Sequence, residues 1–583
     1  MNDTLRVANC SGFYGDRLSA AREMVEGGPI DVLTGDYLAE LTLMILLKDQ
    51  RRDPELGYAR TFVRQLEDIA ATCCERDIKI LVNAGGLNPG GLAKACEAVY
   101  AAKQLQARVA WIEGDDLLPR LSELISAGES FSHLATGEPL SGLRHEVMSA
   151  NAYLGGYSSA EALRRGADLV ICPRVTDAAL VVGPAMWKFD WARDDWNKLA
   201  AAVVAGHIIE CGAQCTGGNY AFFGQVASMN RPGFPLVEMY DDGSFVVTKH
   251  EGTDGEVSVG TVTAQLLYEI AGPRYANPDV VARFDTIRLT REAPDRVRVS
   301  GIRGEPAPPQ TKVCINYMGG YKNSMTLMLP GLEVDAKAEI AEQSFWSCVG
   351  GRDQFQETKV TLRNGSLQGD QAFALLTLAA RDEDEKKVAR GFWNAGIEMA
   401  LSNYPGFQTV NSSRSASAIT VYWPALVSSQ VIDERVHLDD ECFAITPATG
   451  GTNEPVAVTH PAGVRVADDD TIDVPLGRVA GARSGDKGGD ANVGFWTDSA
   501  EAYTWLTDFL SAEKLRELYP EAAPLAIDRY LFPNLRAMNF VIRGLLGEGV
   551  SASLRPDPQA KMLGEELRAR RVPVPKALLS LDQ

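Results

Sequence analysis

Residues 78–112 read IKILVNAGGLNPGGLAKACEAVYAAKQLQARVAWI, and this stretch decides the fold. An apolar run at residues 78–83 is followed by a glycine-rich turn, a helical pattern at residues 92–105 and a second apolar run at residues 108–112. Strand, turn, helix and strand in this order predict parallel strands connected by a helix. Because such sheets bind ligands at the carboxyl ends of their strands, we expect the functional residues at that edge.

The alternation of strands and helices continues on both sides of this unit. Short apolar runs at residues 5–10 and 30–33 are each followed by a helical segment, and a further strand is predicted at residues 168–172. Beyond residue 235, β-branched residues and glycine-containing turns dominate, which indicates antiparallel or mixed strands. We therefore predict the α/β class, with a large, mostly parallel α/β domain, an inserted mixed β region and a small α+β domain at the end.

Chain length and local composition indicate where these domains meet. At 583 residues the chain is longer than one hydrophobic core usually serves. Residues 446–473 are rich in Gly, Pro, Thr and Asp and show weak periodicity, as interdomain linkers do. We predict the large domain at residues 1–450, a linker at residues 451–473 and the small domain at residues 474–583.

The charge balance and the lack of targeting patterns restrict the partners. Lys and Arg number 57 against 77 Asp and Glu, so the formal net charge is -20 and the protein repels a phosphate backbone. The first residues lack a basic stretch followed by an apolar one, and no run of about 18 apolar residues occurs later. We expect a cytoplasmic protein that binds neither nucleic acid nor membranes.

The ten cysteines and six histidines are scattered along the chain without metal-binding spacing. No CxxC pair is repeated at zinc-finger spacing, and no HxH or HExxH arrangement occurs. We expect reduced thiols and no bound metal.

Two predicted strand ends carry groups that suit an anion. In the glycine-rich turn, Asn83, Gly85 and Gly86 stand where backbone N–H groups can approach a phosphate or carboxylate. After a later strand, Arg174 offers a bidentate grip on such an anion, and Asp177 could hold a base. The alternatives are an ordinary turn between strand and helix in the first case and a helix cap in the second.

Residues 205–224, AGHIIECGAQCTGGNYAFFG, form the densest polar cluster in apolar surroundings. His207 and Cys211 are four residues apart, which places them on one helical face with Glu210 nearby. Cys211 could be a nucleophile activated by imidazole, and Glu210 could carry a proton. The alternative is that His207 and Cys211 are packed core residues. The residues after them are predicted to contact the ligand: Thr216, Gly217 and Asn219.

Two further segments combine charge with glycine. In residues 249–262, KHEGTDGEVSVGTV, His250 is the leading candidate for acid/base work, and the neighbouring Glu251 can raise its basicity. In residues 482–495, ARSGDKGGDANVGF, Arg483 and Lys487 could grip an anionic ligand or close over the cleft of the large domain. A solvated loop and a charged hairpin are the respective alternatives.

Six segments, in this order, resemble the acyclic terpene utilization protein A family: NCSGFYGDR, NAGGLNPGGL, RVTDAAL, AGHIIECGAQCTGGNYAFF, HEGTDGEVSVGTVTAQLLYE and ARSGDKGGDANVGF. The resemblance spans nearly the whole chain. It implies a large domain of formerly unknown function followed by a small ferredoxin-like domain. It also implies work on branched acyl thioesters or related carboxylic acids.

Residue chemistry and resemblance together predict a metal-independent lyase or hydratase acting on an acyl-CoA thioester or a small carboxylic acid. His250 or Glu210 would move the proton, Asn83 and the glycine N–H groups would stabilise an oxyanion, and Arg174 would fix the anion. No cofactor is expected apart from a CoA moiety carried by the substrate. The alternatives are a hydrolase that uses Cys211 and a non-catalytic subunit of an acyl-CoA carboxylase or other pathway enzyme. A homo-oligomer is expected on general grounds.

Overall fold

The computed structural model describes residues 4–365, 373–448, 450–451 and 470–579. The part before residue 235 alternates strands and helices, and residues 235–306 form mainly strands, as the hydrophobic pattern predicts. Its elements are β1 (Thr4–Asn9), α1 (Ala20–Gly27), β2 (Val32–Gly35), α2 (Glu40–Arg52), α3 (Arg60–Arg76), β3 (Lys79–Val82), α4 (Pro89–Ala102), β4 (Val109–Glu113), α5 (Leu121–Ser126), β5 (Val147–Ala152), α6 (Tyr157–Arg164), β6 (Leu169–Ile171), α7 (Ala179–Phe189), α8 (Trp196–Ile209), β7 (Pro235–Tyr240), β8 (Phe245–Lys249), α9 (Val259–Leu266), β9 (Arg274–Ala276), β10 (Val280–Arg283), β11 (Arg288–Ala293), β12 (Arg296–Ser300) and β13 (Arg303–Pro306).

An eleven-stranded sheet forms the centre of this part, in the order β11-β12-β8-β7-β1-β2-β3-β6-β4 with two more strands beyond β4. Pairing is parallel from β1 through β2, β3 and β6 to β4, and antiparallel on both flanks. The predicted α/β class is confirmed. The unit at residues 78–112 is present as β3, α4 and β4, although β6 lies between the two strands.

Helices cover both faces of the parallel strands, which explains why these strands are almost uniformly apolar. One face packs against α1, α3 and α4, and the other against α6, α7 and α8. Residues at the start of α4 stabilise its first turn. The Asn88 side chain caps the helix by accepting a hydrogen bond from the backbone N–H of Gly91, and Pro89 occupies the first helical turn.

The middle part builds a second sheet around one long strand and completes the first sheet. Its elements are β14 (Gln310–Pro330), α10 (Val334–Cys348), β15 (Glu357–Asn364), β16 (Phe373–Asp382), α11 (Glu385–Val388), α12 (Arg390–Glu398), β17 (Gln408–Ser412), β18 (Ser417–Ser428), β19 (Arg435–Leu438) and β20 (Glu441–Ala444). The first half of β14 pairs with β5 and β18, and the second half with β16 and β17. Strands β19 and β20 extend the first sheet beyond β4.

The C-terminal part forms a domain with a hydrophobic core of its own. Its elements are β21 (Thr471–Pro475), β22 (Gly481–Lys487), β23 (Asp490–Trp496), α13 (Ala500–Phe509), α14 (Ala512–Leu518), β24 (Ile527–Phe532), β25 (Ala537–Ile542), α15 (Leu563–Arg568) and β26 (Arg571–Pro575). Four strands pair in the order β22-β23-β25-β24, all antiparallel. Residues 452–469 of the predicted linker lie outside the described residues, and its last residues belong to β21.

Two buried asparagines attach the C-terminal domain to the rest of the chain. The side chain of Asn492 donates to the carbonyl oxygen of Leu267 (2.8 Å) and accepts from the backbone N–H of Glu269 (2.9 Å). Asn539 donates to the carbonyl oxygens of Ile270 (2.9 Å) and Ala271 (2.8 Å). The loop after α9 is therefore held by β23 and β25, and the two parts meet in a fixed register. Within the described ranges, no helix has the length and hydropathy needed to cross a bilayer.

Candidate functional site

A cleft of about 450 Å³ opens at the carboxyl ends of the parallel strands. Gly12 and Phe13 follow β1, Asp36 follows β2 and Arg174 follows β6, and all four line it. This is the edge at which an α/β sheet is expected to bind ligands. The opposite wall comes from β14 and from the hairpin between β22 and β23, so three parts of the chain enclose the cleft.

The cleft brings together more carboxyl groups than cations. Six carboxyl side chains line it: Asp36, Glu40, Asp177, Glu210, Glu269 and Asp486. The cationic side chains are Arg174, Lys312, Lys487 and Lys561. Because burial and the repulsion of like charges both oppose ionisation, the pKa values of five of these carboxyl groups are raised: Asp36, Asp177, Glu210, Glu269 and Asp486.

Arg174 supplies a positive charge on the side of the cleft formed by the strand ends, and it is almost fully buried. Its Nη1 contacts Oδ1 of Asp177 (3.1 Å) and donates to the carbonyl oxygen of Leu38 (3.2 Å). The guanidinium carbon of Arg174 lies 4.3 Å from the centre of the Tyr153 ring. The backbone N–H of Arg174 donates to Oδ2 of Asp115 (3.3 Å). Its Nε has no hydrogen-bond partner among the described residues, so the guanidinium retains a donor for an anion.

Asp36 stands beside Arg174 and is oriented by Asn83. The Asn83 side chain donates to Oδ1 of Asp36 (2.6 Å) and accepts from the backbone N–H of Tyr37 (2.7 Å). Burial and the nearby charge of Asp177 raise the pKa of Asp36 well above its usual range. Asn83 itself is fully buried behind the cleft wall, so it positions a carboxyl group and does not reach a ligand.

Glu40 and Lys312 form an ion pair, and both residues line the cleft. Lys312 Nζ lies 3.7 Å from Oε1 of Glu40, which also accepts a hydrogen bond from the hydroxyl of Tyr153 (2.7 Å). Burial opposes ionisation of Glu40, but the charges of Lys312 and Arg174 outweigh it and lower the pKa of Glu40 to about 2. Glu40 is thus a permanent carboxylate.

His207 and Glu210 lie together at the end of α8, and burial shifts the pKa of each toward its uncharged form. Nδ1 of His207 is 3.2 Å from Oε1 of Glu210, without the alignment of a hydrogen bond. Burial lowers the pKa of His207 to about 4, and burial with the charges of Asp177 and Glu269 raises the pKa of Glu210 well above its usual range. Among the described residues, both ring nitrogens of His207 and Oε2 of Glu210 have no hydrogen-bond partner, although these side chains are buried. Polar atoms in this state are candidates for contact with a ligand.

Cys211 lines the cleft, as predicted, but its surroundings disfavour the thiolate. Burial and the carboxyl groups of Glu210 and Glu269 raise the pKa of Cys211 well above its ordinary value. The activation by imidazolium that a thiol nucleophile requires is missing, because the pKa of His207 is lowered by burial. The environment of Cys211 therefore argues against the predicted hydrolase.

The hairpin between β22 and β23 brings Asp486 and Lys487 into the cleft. Lys487 Nζ donates to the backbone carbonyl oxygen of Glu269 (3.1 Å). Burial and the charge of Glu269 raise the pKa of Asp486 to about 8, and burial with the charge of Lys312 lowers the pKa of Lys487 to about 8. Lys487 lines the cleft, and its side chain is exposed to the solvent there.

His250 does not line this cleft, which separates it from Glu210, the other group predicted to move the proton. Its Nε2 lies 2.9 Å from the carbonyl oxygen of Met24, and its ring packs so closely on Gly27 and Gly28 that neither could carry a side chain. The ring therefore fastens the end of α1 to β8. Glu251 follows it in an exposed turn, also outside the cleft.

The predicted anion cradle at Gly85 and Gly86 is closed by the protein itself. The N–H of Gly85 donates to the carbonyl oxygen of Cys172 (3.1 Å), and that of Gly86 to the carbonyl oxygen of Asn83 (3.4 Å). Gly86 has φ of +54°, and a Cβ there would lie 2.3 Å from Leu46. These glycines serve a tight turn and close packing, not a ligand.

Three other residues were predicted to contact the ligand. Thr216 and Gly217 contribute to packing, and Asn219 lines a second cavity. Thr216 is buried and donates to the carbonyl oxygens of Ala213 and Gly233, and Gly217 adopts φ of +110° beside Met229; neither lines the cleft. Asn219 lines an adjoining cavity of about 720 Å³ that shares Gly12 and Glu40 with the cleft.

Arg483 joins the two sides of the cleft without lining it. Its Nη2 contacts the side-chain oxygen of Gln214, and its guanidinium lies 4.2 Å from the ring centre of Tyr268. Both Gln214 and Tyr268 line the cleft. Arg483 therefore supports the wall from the side of the C-terminal domain.

Comparison with known protein families identifies both parts of the chain. Residues 5–438 match the acyclic terpene utilisation family protein AtuA, and residues 474–573 match the AtuA ferredoxin-like domain. The chain belongs to the AtuA family. The resemblance and the small ferredoxin-like domain expected from the sequence are confirmed. No curated protein and no solved structure shows significant similarity to this chain.

Several residues that line the cleft are absent from the set predicted from the sequence. Asp36 was recognisable, because it follows the short apolar strand predicted at residues 30–33 and so stands at a strand's carboxyl end. The others had no local signal, since they come from a helix start, a long strand and a loop far along the chain: Glu40, Lys312 and Glu269. Only the folded arrangement places them together.

Proposed function

We propose that this AtuA-family protein is a catabolic lyase or hydratase that moves protons on a small carboxylic acid or its acyl thioester. The observation that carries the proposal is the pair His207 and Glu210, two buried groups with unpartnered polar atoms, whose pKa values are shifted toward the neutral forms and which line a cleft that also holds a buried guanidinium. Proton donors and acceptors with shifted pKa values, gathered in a cleft, are typical of acid/base catalysis.

Glu210 would supply the proton. As a neutral carboxylic acid it can protonate a hydroxyl group that leaves the substrate, and the neutral imidazole of His207 can accept the proton removed from the neighbouring carbon. Once Glu210 has given up its proton, its carboxylate, 3.2 Å from Nδ1, stabilises the imidazolium that forms. The same two groups run hydration in reverse.

The cations of the cleft would hold the negative charge of the substrate and of its enolate. Arg174 has a free Nε, and the ammonium of Lys312 lies 5.0 Å from the same Tyr153 ring that Arg174 covers. These charges are fixed before the substrate arrives, which is the arrangement that stabilises an oxyanion most effectively. They replace Asn83 and the turn glycines, whose donors are already occupied by the protein.

The adjoining cavity would receive the chain attached to the reacting carbons. Aromatic and apolar side chains contribute to its wall: Phe13, Tyr14, Ile45, Tyr422 and Val550. The charged side chains there are mainly acidic, with Lys561 as the cation, so an uncharged chain suits this cavity better than a string of phosphates. This favours the free acid over the CoA thioester.

Turnover of a panel of 3-hydroxy and 2-enoic acids, each as free acid and as CoA thioester, tests the proposal by mass spectrometry. We expect Glu210→Gln to lower kcat by ~10²-fold or more, because the isosteric amide cannot donate the proton. Glu251→Gln, a matched change in an exposed turn outside the cleft, should leave turnover unchanged. Undiminished turnover in folded Glu210→Gln, or no turnover of any member, would contradict the proposal.

A further inference from the structure

We propose that Lys487 is a catalytic nucleophile that forms an imine with the carbonyl carbon of an oxo-acid substrate. The inference rests on the proposed function, because it assigns the substrate class and a covalent step to the same cleft. It turns Lys487 from a residue that grips an anion into one that bonds to the substrate.

The position of Lys487 suits a nucleophile better than an anion ligand. It ends β22, and the following Gly488 turns the chain with φ of +68°, so that the side chain enters the cleft from the hairpin. Its Nζ donates to the backbone carbonyl oxygen of Glu269, and no carboxylate of the described residues forms an ion pair with it. Lys312, by contrast, is paired with Glu40. An amine held by a neutral carbonyl loses its proton more easily than one held by a carboxylate.

The electrostatic surroundings supply the unprotonated amine. Burial and the positive charge of Lys312 lower the pKa of Lys487 to about 8, and a desolvated lysine beside a second cation is the usual form of an activated amine. Because the side chain also faces the cavity, water there tempers the effect.

Asp486, which also lines the cleft, would supply a proton to the step. Its pKa is raised to about 8 by burial and by the charge of Glu269, so it carries a proton that it can deliver. The lone pair of Nζ attacks the carbonyl carbon, and the oxygen takes up protons and leaves as water when the C–O bond breaks. The net change joins the free amine of Lys487, one ketone and the proton of Asp486 to give one protonated imine, one water and the Asp486 carboxylate.

The other cations explain why the ketone should carry a carboxylate. Arg174 and Lys312 lie within 4.3 and 5.0 Å of the Tyr153 ring, and Lys312 also interacts with Lys487. A carboxylate bound by the first two cations would keep its neighbouring carbonyl group in the cleft that Lys487 also lines. The protonated imine then withdraws electrons from the adjacent carbon, which assists the C–H or C–C cleavage that a lyase performs.

Reductive trapping on the full chain tests the inference. The protein is incubated with pyruvate or with acetoacetate, reduced with sodium borohydride and measured by intact and peptide mass spectrometry. We expect a mass increase equal to the oxo acid less one oxygen atom, located on Lys487, and trapping that grows as the pH is raised toward about 8. Lys487→Ala and Lys487→Arg should both abolish it, and Lys514→Ala, an exposed change in the same domain, should retain it.

Each outcome separates this inference from the proposed function. No adduct with either oxo acid in the folded protein, or an adduct that persists in Lys487→Arg, overturns the imine. Turnover of hydroxy or enoic acids without an adduct supports the proposed function and overturns the inference. An adduct on Lys487 without turnover of any hydroxy or enoic acid supports the inference and contradicts the hydratase chemistry assigned to His207 and Glu210.

Discussion

Gly85 lies where the chain leaving β3 passes directly against the end of β6. A Cβ at this position would lie 2.6 Å from the carbonyl oxygen of Cys172 and 2.8 Å from Cβ of Pro89. We expect Gly85→Ala to lower the free energy of unfolding by ~1–3 kcal/mol, because backbone and proline ring must move apart. Urea unfolding followed by circular dichroism measures the change.

Gly391 in α12 provides the matched glycine control. A Cβ there would meet no atom within 4 Å, so Gly391→Ala should be neutral or stabilise the protein by up to ~1 kcal/mol through its helix propensity. If Gly85→Ala proves equally harmless, the turn has spare room and the closed cradle described above is incorrect.

The role of a polar residue depends on which atoms the fold has already used. Asn83, Arg174 and Glu210 were all selected from strand and helix ends, and all three stand in or behind the cleft. Only the structure shows that the side-chain amide of Asn83 is hydrogen-bonded to Asp36 and to the backbone N–H of Tyr37. It also shows that Nε of Arg174 has no hydrogen-bond partner among the described residues. Residue type and position are readable from sequence, but hydrogen-bond occupancy is not.

At the scale of single elements, the loop after α9 owes its shape to another domain. Asn539 is fully buried and donates to the carbonyl oxygens of Ile270 and Ala271. We expect Asn539→Ala to cost ~1–3 kcal/mol of unfolding free energy, because both carbonyl groups remain buried without a partner. Hydrogen exchange at residues 267–271 should rise in the same variant, because the loop loses its anchor.

Asn364→Ala is the control for this loop, since Asn364 is exposed at the end of β15. It should change neither the unfolding free energy nor exchange at residues 267–271. A destabilised Asn539→Ala whose loop exchanges as slowly as in the unchanged protein would show that the loop is held from the side of α9 alone.

Elements with strong hydrophobic periodicity were predictable, and their ends were less so. The helix expected at residues 92–105 is Pro89–Ala102. Residues 482–495, for which a charged hairpin is the alternative to a ligand-gripping loop, form a hairpin whose first strand continues to Lys487, because the cross-strand pairing extends through these polar residues. Pairing partners distant in sequence decide such boundaries.

On the scale of the whole molecule, the cleft exists only because three parts of the chain meet. Glu40, Lys312 and Lys487 come from the first helices, the long strand and the C-terminal hairpin. Each has an ordinary local sequence, and their mutual electrostatic effects arise from the folded geometry. Fold class and the sheet edge that carries the site could therefore be predicted, while the composition of the opposite wall could not.

Stability of the whole molecule should also depend on protons held in its interior. Burial raises the pKa of Asp115 to about 7, of Asp279 to about 6 and of Glu434 to about 7. In the unfolded chain these carboxyl groups lose their protons near their ordinary, lower values. The folded state binds more protons in between, so each group contributes stability at low pH that is lost as the pH rises through its folded pKa.

Glu434→Gln isolates one such group, because the amide resembles the protonated carboxyl group and does not titrate. Its folded pKa of about 7 against an ordinary 4.5 corresponds to ~3 kcal/mol. We expect the stability of Glu434→Gln relative to the unchanged protein to rise by about this amount from below pH 4.5 to above pH 7. Urea unfolding at a series of pH values measures it, and exposed Glu517→Gln should show no such trend. A pH-independent difference for Glu434→Gln would mean that Glu434 is ionised in the fold and that a neighbouring positive charge compensates its burial.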